Sequence, residues 1–94
     1  MPNYETLVLV DTVLSDDEVA KLVGELIDLA SKEKGKVLKE ERLGRRRLAY
    51  PVRKKFDGNY VCLQLDMPEA SIKKWERHLR LKAPVLRQMT VRLD

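Results

Sequence analysis

Between Leu43 and Lys55 the chain reads LGRRRLAYPVRKK, and within it Arg45, Arg46, Arg47, Arg53, Lys54 and Lys55 meet no acidic residue. The chemistry such a cluster offers is the binding of a polyanion. Arginine forks match two phosphate oxygens at once, lysines add point charges, and Tyr50 offers a ring for stacking on a base or sugar. Leu48, Ala49 and Tyr50 interrupt the cations and Pro51 fixes the backbone, so the stretch reads as a bent, ordered strand rather than a solvated basic tail. Cations on an edge strand also discourage edge-to-edge pairing, a role that coexists with phosphate contact.

The remaining charge is arranged around this stretch. Residues 1–34 hold three basic against eight acidic side chains, residues 35–60 nine against three, and residues 61–94 seven against four. An acidic first third turns away from a phosphate backbone while the middle and end turn toward it. Arg77, Arg80, Lys82, Arg87 and Arg92 extend the basic surface. Arg87 is the most pointed of them, because it interrupts the apolar alternation of Val85, Met89 and Val91.

Other chemistry is thinly represented. No Ser, His and Asp constellation and no usefully placed carboxylate pair is present, so no catalytic residue is assigned. One His, His78, and one Cys, Cys62, exclude a Cys/His metal cluster and an intramolecular disulfide. No metal and no cofactor is expected, and the setting is reducing and cytoplasmic. The absence of a long apolar run and of a signal-peptide pattern argues for a soluble protein without a membrane partner.

Ninety-four residues with 44% hydrophobic content allow a single domain, 1–94, with one core. Tyr4 to Val10 reads as a central strand with Tyr4, Thr6, Val8 and Val10 on one face and Leu7 and Leu9 on the other. Ser15 and Glu18 form a capping box for a helix whose stripe is Val19, Leu22, Val23, Leu26, Ile27 and Ala30. Gly24 inside it marks a close helix-to-sheet contact, and Gly35 suits its C-cap. A long edge strand from Lys36 to Tyr50 follows, bent at Gly44. Asp57 and Gly58 supply a turn, and Val61, Leu63, Leu65 and Met67 then alternate with Tyr60, Cys62, Gln64 and Asp66 in a third strand. A second helix opens at Pro68 and Glu69, with Ile72, Trp75 and Leu79 as its core face. Pro84 stops it, and Val85, Met89, Val91 and Leu93 alternate in a last strand.

The order βαββαβ closes most economically as a ferredoxin-like α+β fold, an antiparallel sheet of order 4-1-3-2 with both helices on one face. The other face is left open, and Leu7, Leu9 and Tyr60 on it are candidate contacts for a protein partner. An RNA recognition motif shares this element order, yet NYVCLQL at Asn59 to Leu65 lacks its basic-Gly-aromatic signature, so backbone and shape contacts are expected instead of base stacking across the sheet. Two rival classes are a ferredoxin-like dimerisation or ligand-binding regulatory module, which has no use for so basic a middle third, and a small acylphosphatase-type hydrolase. The hydrolase lacks its glycine-rich phosphate loop at Asp11 to Asp17.

The run LGRRRLAYPVRK resembles one carried by protein six of the bacterial small ribosomal subunit. The likeness continues through Tyr4 and Glu5, the DGNYV turn, Met67 to Glu69, and LRLKAPVLRQM. It implies an RNA-binding, non-catalytic protein that assembles onto the central domain of small-subunit ribosomal RNA as a heterodimer with protein eighteen of the same subunit. Gly44, Arg46, Arg47, Leu48, Ala49, Tyr50, Pro51 and Lys54 match the family run, whereas Arg45, Arg53 and Lys55 rest on charge alone. Many relatives continue past the position of Asp94 into a polar or acidic tail, and Pro84 stands where they often have other residues.

Overall fold

The computed structural model describes all of residues 1–94. Its elements are β1 (Asn3–Val10), α1 (Asp16–Lys32), β2 (Lys36–Val52), β3 (Lys55–Asp66), a 3-10 turn (Glu69–Ser71), α2 (Ile72–Leu81) and β4 (Val85–Arg92). The strands form one antiparallel sheet in the order β2-β3-β1-β4, as expected for a ferredoxin-like fold. Tyr4 and Val8 of β1, Val61, Leu63 and Leu65 of β3, and the apolar stripes of both helices share one core, so both helices cover the same sheet face.

At the start of α1 the Ser15 hydroxyl accepts the Glu18 amide and the Glu18 carboxylate accepts the Ser15 amide at 2.9 Å. These bonds hold the Glu18 carboxyl below the usual carboxylate range, the backbone one most strongly. Val19, Leu22, Val23, Leu26 and Ala30 are buried as the periodicity predicts, but Ile27 is 39% exposed. One residue past Leu26 is a rotation of about 100°, which carries Ile27 off the stripe. Gly24 also departs from expectation, since an added Cβ there would meet nothing within 4 Å. At the other end of the helix Lys34 takes the left-handed conformation (φ 64°) expected of Gly35. Gly35 serves close packing instead, because a Cβ would stand 2.7 Å from the Asp66 carbonyl oxygen.

The β2–β3 hairpin differs most from its sequence reading. Asp57 and Gly58 lie inside β3, and the turn falls at Arg53 and Lys54, both at positive φ (49° and 65°), between the paired Val52 and Lys55. Gly44 bends β2 as anticipated, at φ 82° with a register shift beside it. A second shift lies between Arg47, paired with Asp57, and Val52, so Leu48 to Pro51 arch out of the ladder. In β4 the register slips at Leu86, so Val85 and Leu86 are both buried. Arg87, Met89 and Val91 then pair with Leu9, Leu7 and Glu5 on the open face, which separates Val85 from the residues expected beside it.

Candidate nucleic-acid interface

Pairing of β1 with β3 ends at Val10 and Asn59, so the hairpin beyond that point has no third strand and stands out from the sheet as an arm. All six arm cations are exposed. They are not equivalent. Arg45 donates to Asp57 at 2.7 Å across the arm, and Lys55 lies 3.6 Å from Asp11. Arg46 donates to the Leu43 carbonyl at 3.3 Å. None of Arg46, Arg47, Arg53 and Lys54 has a carboxylate within 4.0 Å, so their charge is uncompensated inside the chain, and of the four Arg46 alone is tied down, by its bond to the Leu43 carbonyl.

Tyr50 and Arg87, read separately from the sequence, are brought together. The Arg87 guanidinium donates to the Tyr50 hydroxyl and lies 5.9 Å from the centroid of its ring. This contact ties the arched segment of β2 to β4 across the open face. Beneath it is a largely apolar cleft of about 200 Å³, lined by Leu7, Leu9, Tyr60 and Met89 from the sheet and by Leu48, Ala49, Tyr50 and Val52 from the arm. The three residues read as partner contacts therefore share one cleft. Leu7 and Tyr60 are half-buried in it, but Leu9 is only 3% exposed, against the expectation that it stays open. Gly58 of the arm closes over it so tightly that a Cβ there would lie 2.1 Å from Leu9 Cδ1.

Sequence reading passed over three exposed apolar side chains of this surface, Met89 and Val91 on the open face and Phe56 on the arm. The first two were legible as neighbours of Leu7 and Glu5 only once the β4 register was known. Cys62, also on this face, has its thiol pushed up, first by burial and then by Glu5 and Glu41, which keeps it protonated and suits a packing role. Away from the arm, Lys82 pairs with Glu25 at 3.4 Å and Arg92 with Glu69 at 3.3 Å, while Arg77 and Arg80 stand exposed on α2. His78 faces Glu33 at 3.6 Å between the helices.

A sequence profile described as ribosomal protein S6 matches residues 3–92. The chain belongs to the ribosomal protein S6 family. It is 36% identical over 94 residues to small ribosomal subunit protein bS6 of Corynebacterium kroppenstedtii, covering all of this chain and 99% of the relative. With the bS6 of Geobacter sulfurreducens it shares 40% over 91 residues, covering 97% and 78% of the two chains. With that of Acidobacterium capsulatum the figures are 36%, 97% and 64%. The crystal structure of 30S ribosomal protein S6 from Thermotoga maritima superposes with a TM-score of 0.91 at 25% identity, over 98% of this chain and 87% of that one. The resemblance seen in the arm sequence is thus borne out over nearly the whole chain. The S6 family comprises structural ribosomal proteins rather than enzymes, located in the small subunit of the cytoplasmic ribosome. No helix is long and apolar enough to cross a membrane.

Proposed function

We propose that this chain, acting as one domain over residues 1–94, binds the central domain of small-subunit ribosomal RNA through its β2–β3 arm and holds protein eighteen of the small subunit on its open sheet face. The observation that carries this reading is the set of exposed, uncompensated cations Arg47, Arg53 and Lys54 on an arm with no third strand behind it. Such charges displace counterions from a phosphate backbone, and the hairpin sets Arg47 in its ladder and Arg53 and Lys54 at its turn. Arg46 and Arg87 flank them, and Arg45 and Lys55 adjust the field from within ion pairs. The cleft bounded by Leu7, Leu9 and Tyr60 supports the protein contact, because an apolar cleft beside exposed Met89 offers a partner side chain a place to be buried.

The test mixes the purified chain with small-subunit ribosomal RNA fragments across a range of salt, with and without protein eighteen. Binding that is salt-dependent and much tighter with the partner is the expected result. Equal affinity for RNA with and without it would remove the heterodimer from the reading, and no RNA affinity in either case would remove the reading itself.

A further inference from the structure

The arm carries an aromatic ring that the charges do not explain. Of the chain's five aromatic residues, Tyr4 and Trp75 are in the core, Tyr60 is half-buried in the cleft, and Tyr50 is engaged by Arg87. Phe56 is 62% exposed, close to the 59% of Tyr50, but no cation lies over its ring, and it belongs neither to the core cluster nor to the side chains packed on it. It follows Arg53, Lys54 and Lys55 directly, and it lies beyond the last β1–β3 pair, so no strand of this chain covers it. Alternation along β3 puts Phe56 on the same side as Gly58 and Tyr60, the side of the open face.

We infer that Phe56 is a stacking site for an unpaired nucleobase of the RNA whose phosphates are held by Arg53 and Lys54. The inference rests on the RNA-binding reading above and adds a ligand chemistry to it. A flat ring beside uncompensated cations meets both parts of a nucleotide, its π-face and its phosphate, and this combination binds single-stranded segments with little regard to base identity. A paired base inside a helix has no free face to offer, so the site discriminates unpaired from paired RNA. The two carboxylates paired with the arm are both matched, Asp57 by Arg45 at 2.7 Å and Asp11 by Lys55 at 3.6 Å.

The experiment compares Phe56→Ala, Phe56→Leu and Phe56→Tyr with the unsubstituted chain, each with the partner protein. The probes are a small-subunit ribosomal RNA fragment containing unpaired nucleotides and a fully paired duplex of the same length. Phe56→Ala and Phe56→Leu are expected to bind the fragment about ten-fold more weakly with an unchanged salt slope, because stacking releases no counterions. Phe56→Tyr should bind it as the parent does, and none of the three should change duplex binding. Arg47→Gln, run beside them, should weaken both probes and flatten the slope. Full affinity of Phe56→Ala alongside a weakened Arg47→Gln would overturn the stacking site while the RNA reading stands. Full affinity of Phe56→Leu would reduce the ring to an apolar contact, and weakened binding of the partner protein alone would assign it to a protein interface. Either result overturns the inference. Failure of the parent chain itself to bind RNA would remove the underlying reading as well.

Discussion

The indole N–H of Trp75 is fully enclosed, so its acceptor must come from inside the protein. Thr6 Oγ1 accepts it at 2.9 Å and lies 2.8 Å from Thr90 Oγ1, which donates to Gln88 Oε1, while Gln88 donates to Glu76 Oε2 at 3.2 Å. A hydroxyl has one proton, and that of Thr90 is committed to Gln88, so Thr6 must donate to Thr90. The chain of donors thus leaves α2 at Trp75, crosses β1 and β4, and returns to α2 at Glu76. Thr6→Val keeps the volume but strands the indole, and it is expected to lower stability by about 1–3 kcal/mol in urea unfolding. The open face offers a paired contrast at the same scale. Leu7→Asp should fold with a loss within about 1 kcal/mol, since Leu7 is only half-buried, whereas Leu9→Asp buries a lone charge under Gly58 and should cost at least about 3 kcal/mol. Circular dichroism melting separates them, and similar melting of the two would mean that the arm does not seal Leu9 in solution.

At the scale of elements, the arm shows how a local signal is overridden. Asp57-Gly58 is the stronger hairpin dipeptide, yet the turn falls at Arg53-Lys54, where two side chains sit at positive φ as in a type I′ turn. The glycine is needed elsewhere, because only a residue without a Cβ lets the arm close over Leu9. Moving the turn away from it lengthens the arm and sets cations at its tip. That placement has a conformational cost, which predicts that Lys54→Gly stabilises the protein by up to about 1 kcal/mol while weakening RNA binding. Denaturant titration and a binding isotherm on the same variant decide it; loss of stability would mean that the tip is not strained. Periodicity made α1, β1 and β3 legible, and the Ser15–Glu18 box marked a helix start that the structure keeps. The arch at Leu48 to Pro51 and the slip at Leu86 were not legible. Each inserts residues into a ladder to satisfy cleft and core packing, and alternation read along one strand carries no record of its neighbour's register.

The whole molecule presents two surfaces of different character. The helices, led by the acidic first turn of α1, occupy one side of the sheet, and the cleft opens on the other beside the basic arm. Since Tyr50 and Leu48 belong both to the arm and to the cleft wall, a partner seated in the cleft would also brace the arm against RNA. The arm's six cations divide by their partners, and so should their effects on RNA binding. An arginine already matched by a carboxylate has less condensed counterion to displace from RNA than one with its charge free. Neutralising Arg47, Arg53 and Lys54 together to Gln should therefore shrink the log-log salt slope by roughly two to three units, at about 0.7 to 0.9 per phosphate contact. Neutralising Arg45 and Lys55 should shrink it by less than about one unit, because each is already held by a carboxylate, Asp57 or Asp11, and neutralises little phosphate charge. A larger slope change from the paired cations than from the free ones would mean that the ion pairs open on binding, and the arm's charges would then have to be counted in their RNA-bound arrangement.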